Sequence, residues 1–287
     1  MNIVFLNNKK VNHESQISLF NASFLYGINV FEGIRGYWSE FKKELIIFDI
    51  DEHLDRLYGS LNVIGFIFPV TKESLKLELL QIIKNECIRE NIYIRITFFI
   101  DGDTSWSERE SVGRIISLRS MASNLERASS QSLVISSYKR ISCNSMPPFV
   151  KAGANYLNSR YALLEAQSKG FDGALFLSQQ GYVSESTGSC VFFIKGGVLF
   201  TPSIESDILV GVTRNRIMML ASRLGIHVVE KFISPDDLKT FEASFLAGTM
   251  IELKSISKIG DNVFDTEHPM FHRLVIALKE YVYGLDF

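Results

Sequence analysis

The sequence predicts two α+β domains joined by a polar linker. Three observations lead there. The chain has 287 residues, more than the roughly 100–200 of a common single domain. Strand-like and helical patterns alternate irregularly, without the steady βαβ rhythm of a doubly wound sheet. Residues 120–132 (SMASNLERASSQS) hold almost no large apolar side chain, as expected of a linker. The predicted boundaries are 1–119 for a smaller N-terminal domain, 120–132 for the linker and 133–287 for a larger C-terminal domain.

In the first domain, residues 3–6, 45–48 and 92–99 are rich in β-branched and aromatic side chains and read as strands. Asp51 reads as the N-cap of a helix in which Leu54, Leu57, Tyr58, Leu61 and Ile64 recur at helical spacing, with Gly65 as its stop. A second helix is expected over 72–89 and a strand over 115–118. Past the linker, 133–138 is strand-like, and Pro147-Pro148 marks an extended approach to Lys151. Residues 155–169 have helical periodicity through Leu157, Tyr161 and Leu164, and end at Gly170. Strands follow at 174–177 and 191–194, the second turning at Gly196-Gly197 into 198–200. A helix over 213–224 is closed by Gly225. Strands at 228–232, 244–247 and 255–259 precede an amphipathic helix over 270–283. No internal repeat or low-complexity tract occurs.

Composition narrows the function classes. At 46% hydrophobic and 22% charged, the chain can build a core large enough to shape a buried site. Thirty basic against 32 acidic side chains, net −2, leave no electrostatic footprint for nucleic acid or an anionic membrane. Cys87, Cys143 and Cys190 are far apart and form no ligand spacing, so neither a disulfide framework nor a metal site is expected. The segment MNIVFLNNKK lacks the features of a secretory signal. The uncharged run 57–71 is too short to span a bilayer. A cytoplasmic location without membrane association is the expectation. No GxGxxG, Walker A, HExxH or GxSxG pattern is present. His53, beside acidic residues at a helix start, reads as a surface side chain.

Seven strings then carry a resemblance. They are FLYGINVFEGIRGY (24–37), EHLDRL (52–57), YIR (93–95), KAGANYLNSRYALLEA (151–166), GYVSESTGSCVFFIKGGVLFTP (181–202), LVGVTRNRI (209–217) and FLAGTMIELKSI (245–256). Together and in this order they resemble the class IV pyridoxal-phosphate aminotransferases, most of all the branched-chain amino-acid aminotransferases. The likeness runs from about 26 to 260 and thins between 100 and 131. It implies fold type IV: two α/β domains with pyridoxal 5'-phosphate between them, the larger C-terminal domain binding the cofactor, normally in a homodimer. The implied reaction is ping-pong transamination of a branched-chain or similar hydrophobic L-amino acid with 2-oxoglutarate. The partners are then an amino acid and a 2-oxo acid. Alternatives on the same fold are a D-amino-acid aminotransferase, an aminodeoxychorismate-type lyase or a non-catalytic relative.

The resemblance assigns roles residue by residue. Lys151 is implied as the Schiff-base lysine, which must be neutral part of the time to work; as a bare residue, without its flanking string, it reads as a solvated surface amine. Glu185 is implied to face the cofactor's ring nitrogen, Tyr156 its phenolic oxygen and Arg56 its phosphate. On composition alone Glu185 could sit on an exposed hairpin, Tyr156 in a core, and Arg56 in a surface pair with Glu52. Leu209, Val212, Thr213, Gly248 and Thr249 complete the implied cofactor set; that Val212 and Thr213 open a helix after Gly211, with N–H groups suited to an anion, stands on sequence physics. Tyr26, Phe31, Gly33, Tyr93, Arg95 and Met250 are implied around the substrate, Arg95 meeting a distal carboxylate. Period two places Tyr93, Arg95 and Thr97 on one face, which leaves an outward-facing Arg95 open. Departures from the family pattern gather at Ile96, Met121, Asn124, Val210 and Met250.

Overall fold

The computed structural model describes residues 1–12, 17–103, 105–127 and 129–285. They form two compact units. Met1–Ala122, Val150–Ala154 and Val282–Gly284 make the first; Ser123–Phe149, Asn155–Tyr281 and Leu285–Phe287 make the second. The unit boundary at Ala122 falls inside the stretch expected as linker. Lys151 and its neighbours belong to the first unit, not to the C-terminal span, because their backbone bonds reach the first sheet.

The first unit is built on an antiparallel sheet of β1 (Asn2–Leu6), β2 (Lys9–Val11), β3 (Asn29–Ser39), β4 (Glu44–Ile47), β5 (Ile92–Ile100) and β6 (Val112–Ser120), in the order β2-β1-β6-β5-β3-β4. Helices α1 (Ala22–Tyr26), α2 (Ile50–Ile64) and α3 (Lys72–Asn85) accompany it. One face of β3 and β5 (Val30, Ile34, Ile92, Ile94, Ile96, Phe98) joins Leu54, Leu57 and Leu61 of α2 and Leu75 and Leu79 of α3 in a single core. The long strand β3 escapes a reading by alternation because both its faces are buried. Its helix-side row even includes Glu32, which sits opposite Ile96.

Two local readings change. The N-cap of α2 is Asp49 in a left-handed conformation, and Asp51 lies within the first turn, where its charge complements the helix dipole. The second helix stops at Asn85, four residues short of expectation, before Cys87 at φ 50.

The second unit holds a mixed sheet of β7 (Ser130–Ile135), β8 (Gly173–Leu177), β9 (Val183–Ser186), β10 (Cys190–Lys195), β11 (Val198–Pro202), β12 (His227–Lys231), β13 (Ala243–Gly248), β14 (Glu252–Ile259) and β15 (Asn262–Val263). Its order is β12-β11-β10-β13-β14-β7-β8-β9, with β15 paired to β14. Helices α4 (Tyr156–Ser168), α5 (Val212–Arg223) and α6 (Pro269–Val282) complete it. Small residues let α4 approach β8 closely: Ala162 and Ala166 pack on Ala174 and Phe176. Val191, Phe193, Leu246, Ile256 and Leu133 form the core on one side of the sheet. On β10 and β13, Phe192 and Phe245 lie opposite each other and stack 5.1 Å apart.

Candidate active site

In the first unit the site residues gather around β3. Strand β4 pairs only with its C-terminal half, from Gly36 to Ser39, while β5 covers the other edge. The edge left open over residues 29–31 is filled by the chain around Lys151. Phe31 N–H donates to the Lys151 carbonyl at 3.0 Å and Gly153 N–H to the Asn29 carbonyl at 3.0 Å, with Val30 and Ala152 as the bridge partners. The Lys151 N–H in turn donates to Ser60 Oγ of α2 at 3.1 Å. The backbone of this lysine is therefore pinned on two sides.

Arg56 lies one helical turn before Ser60 on the same face of α2. Its guanidinium grips the Glu32 carboxylate through Nε at 2.7 Å and Nη2 at 2.9 Å. His53, three residues earlier, places Nδ1 2.8 Å from the other side of that carboxylate. Arg56 thus bonds Glu32 between α2 and the helix-side face of β3. His53 is fully buried, which corrects its reading as a surface residue. Burial works to raise the Glu32 carboxyl, but the Arg56 charge and the bonds from His53 and Arg56 hold it well below the usual carboxylate range. For His53, burial outweighs the pull of Glu32 and depresses its pKa, so the ring is neutral near pH 7. An ionised carboxylate only accepts, so Nδ1 carries the proton; the buried Nε2 has no hydrogen-bond partner among the described residues.

The opposite face of β3 and β5 carries the residues expected around the substrate. Phe31 lies opposite Thr97, Gly33 opposite Arg95 and Arg35 opposite Tyr93. Glycine is required at position 33 because a Cβ there would collide with the Tyr93 hydroxyl. The Arg95 guanidinium stacks 3.6 Å from the Phe31 ring centroid, and its Nε donates to Thr97 Oγ1 at 3.2 Å. Lys151 Nζ lies 5.1 Å from the same ring. Arg95 is thus half-buried against an aromatic, not projected into water. Tyr26, the last residue of α1, is 59% exposed.

In the second unit a different set meets at one end of β9, β10 and β13. Glu185 lies in β9 and is buried, with Oε1 2.8 Å from Arg140 Nη2. Arg140 is buried too; its backbone N–H donates to the Leu177 carbonyl at 2.8 Å, and Nη1 reaches Asn158 Oδ1 at 3.4 Å. Asn158 stands two residues after Tyr156, which opens α4. Ser186 N–H donates to the Ser189 carbonyl at 2.9 Å, so Glu185 sits beside the turn into β10. Cys190 opens that strand opposite Ala247.

The same end receives the start of α5. Its N-cap Gly211 approaches Cys190 so closely that a Cβ would lie 2.9 Å from Sγ, and the Cys190 thiol contacts the Leu209 carbonyl at 3.5 Å. No side chain caps this helix, so its first-turn N–H groups at Val212 and Thr213 have no intrahelical acceptor. Thr213 Oγ1 is buried without a hydrogen-bond partner among the described residues. Gly248 ends β13, and Thr249 and Met250 form the turn after it; Met250 is 48% exposed. Asn124 Nδ2 reaches the Met250 carbonyl at 3.5 Å.

This donor set fits a phosphate group: a helix N-terminus, an orphaned buried hydroxyl and a glycine that lets the backbone come close. A buried carboxylate held by an arginine fits a ring nitrogen that must stay protonated. Glu32, Ser60, Arg140 and Asn158 were not singled out from sequence, and His53 was read only as a surface residue. The one signal that pointed to the first of them is an acid, Glu32, inside an otherwise apolar strand; the partners lie tens of residues away. Among the described residues no cluster of His, Cys, Asp and Glu could hold a metal ion, and no helix is long and apolar enough to cross a membrane.

Known proteins share both sequence and fold with this chain. It is 34% identical over 249 residues, 86% of its length and 80% of the relative's, to a probable branched-chain-amino-acid aminotransferase of Aquifex aeolicus. It is 33% identical over 267 residues, covering 89% of this chain and 84% of the other, to the branched-chain-amino-acid aminotransferase of Escherichia coli K12. The holo crystal structure of a branched-chain amino acid aminotransferase from Thermobaculum terrenum, in its pyridoxal-phosphate form, superposes with a TM-score of 0.93 at 33% identity, over 99% of this chain and 95% of that one. The expected fold type IV is thereby borne out. The model of the amino-transferase class IV family matches residues 29–259, from the first residue of β3 to the last of β14, and the chain belongs to that family.

Proposed function

We propose that the protein is a pyridoxal-phosphate-dependent transaminase that moves the amino group of a branched-chain or similar hydrophobic L-amino acid to 2-oxoglutarate. The observation that carries it is the end of the second sheet, where Glu185 with its Arg140 partner and the orphaned Thr213 hydroxyl match the two polar ends of this cofactor. The names of its relatives support the substrate class.

When bound, the cofactor supplies an electron sink for negative charge developing at the substrate Cα. Lys151 Nζ would hold the cofactor and move the proton at the substrate Cα. Glu185 would face the ring nitrogen, with Arg140 Nη2 at 2.8 Å holding the carboxylate in place. Tyr156 donates to the phenolic oxygen. Arg56 would bond the phosphate, for which the Val212 and Thr213 N–H groups, the Thr213 hydroxyl and Thr249 beyond Gly248 are also suited donors; Leu209 would pack the ring. On the substrate side, Phe31, Gly33, Tyr93 and Tyr26 would meet an aliphatic side chain. Arg95 meets the distal carboxylate of the second substrate, its charge shielded by Phe31 when an aliphatic chain is bound. We read the working form as a homodimer in the cytoplasm: Leu19, Phe20, Phe24 and Leu25 are 73%, 69%, 66% and 51% exposed, an apolar run that a second copy would cover.

The purified protein is expected to be yellow, and Lys151→Ala to lose that visible band and at least about 10³-fold of activity. A panel of L- and D-amino acids, each followed by conversion of the chromophore, tests the substrate. Reaction confined to D-alanine, or pyruvate release from aminodeoxychorismate, overturns the proposal.

A further inference from the structure

Glu32 and His53 have no part in the proposed reaction, yet they form a fully buried polar pair beside Arg56. Both side chains have zero exposure, whereas the Arg56 side chain keeps 13%. The three groups form a directed chain. His53 donates through Nδ1 to Glu32 Oε2 at 2.8 Å, and Glu32 receives Arg56 Nε on Oε1 at 2.7 Å and Nη2 on Oε2 at 2.9 Å. A side-on bidentate contact fixes the plane of a guanidinium as well as its position. It also fixes where the remaining N–H directions point. A buried carboxylate costs several kcal/mol to desolvate, so its placement on the apolar row of β3, opposite Ile96, is expensive unless it does something.

Resting on the reading of Arg56 as a phosphate ligand, we propose that Glu32 and His53 are positioning residues that lock the Arg56 guanidinium in the orientation a phosphate dianion needs. His53 acts as the back-stop: its N–H holds the Glu32 carboxylate in the plane of the guanidinium. The arrangement runs through α2, whose residues 53, 56 and 60 share one face, and Ser60 on that face anchors the backbone of Lys151 at 3.1 Å. Phosphate capture and lysine placement therefore depend on the same helix face.

The proposal separates geometry from charge. A carboxylate beside Arg56 weakens its bare attraction for an anion, so on charge alone removing Glu32 would tighten phosphate binding. On geometry it loosens it. The test compares pyridoxal phosphate with pyridoxal, which lacks the phosphate, on the full-length chain loaded with either compound. Retention is read from the visible band across a dilution series. Glu32→Gln and His53→Leu are expected to weaken retention of pyridoxal phosphate about tenfold while leaving pyridoxal unchanged. His53→Asn, whose side-chain amide can replace the Nδ1 donor, is expected to restore most of the loss. Equal weakening of both compounds, no change, or tighter binding of the phosphate form in these variants overturns the proposal. Should Glu32→Gln not fold, the His53 pair decides alone. Arg56→Ala separates the two levels of the argument: if it leaves the ratio of the two affinities unchanged, the phosphate role of Arg56 fails. If it collapses the ratio while Glu32→Gln and His53→Leu keep it, only the positioning role fails.

Discussion

The two units each bury a carboxylate against an arginine, but they do so in opposite senses. In the first unit Glu32 is fully enclosed between Arg56 and His53, and the arginine is the member with residual exposure, 13%. The carboxylate there serves the arginine. In the second unit Arg140 is held by the Leu177 carbonyl through its backbone and by Asn158 through its side chain, and Glu185 occupies the strand end beside the helix start. There the arginine serves the carboxylate. Which member of a buried ion pair is the working group thus depends on which one the scaffold braces from behind. A buried pair contributes little net stability, since desolvation offsets its Coulomb energy; what both pairs supply is a charge fixed in place.

This contrast can be broken most sharply by comparing turnover with cofactor retention. Glu185→Gln is expected to lower kcat by about 10²-fold or more, since it removes a preorganised charge at the reacting ring, and to leave retention of the cofactor much less affected. A Glu185→Gln enzyme that turns over normally but sheds its cofactor would reverse the assignment of the two pairs.

Removing the arginines probes stability. Arg140→Met and Arg56→Met each strand a buried carboxylate and are expected to cost about 3 kcal/mol by urea unfolding. Their pH dependence should differ. Burial works to raise the Glu32 carboxyl, and Arg56 is the strongest of the groups that hold it below its ordinary value. Stability carried this way is complete above the unfolded carboxyl pKa, roughly 4.3, and is lost as pH falls through the depressed folded value. Arg56→Met is expected to lose most of that acid-side slope, whereas Arg140→Met, which leaves Glu32 and Arg56 in place, keeps it. Identical pH profiles for the two variants would remove the distinction drawn between the pairs.

The smallest effect is expected at the brace of the second pair. Asn158→Ala removes a long 3.4 Å bond to Arg140 and a 3.0 Å bond from Nδ2 to the Lys139 carbonyl. A loss of about 1 kcal/mol in stability is expected, with at most a few-fold fall in kcat. A fall as large as that of Glu185→Gln would show that Arg140 orientation, more than its charge, governs Glu185.

What the sequence made legible follows the range over which each feature is encoded. The hairpin at Gly196-Gly197, the helix after Gly211 and the stop at Gly65 are local, and each lies within a few residues of its expected place. Strand β3 gave no strand signal and His53 read as a surface residue for one shared reason: both sit in full burial, where alternation vanishes and a polar residue looks like a surface one. The resemblance named Lys151, Arg56 and Glu185 without saying what holds them. Their partners stand 24 residues from Arg56 and, for Arg140, 45 before Glu185, separations that no periodicity records.

By itself, then, the sequence determined the α+β fold and the family, and named the groups proposed to carry the chemistry, because short-range pattern and ordered motifs encode those. Only the tertiary structure decided that Glu32 and His53 stand behind Arg56, that Arg140 stands behind Glu185, and that residues 150–154 join the first sheet through the open edge of β3. The physical reason is that a charge can be buried only where partners from distant segments converge to replace its water, and convergence is a property of the fold.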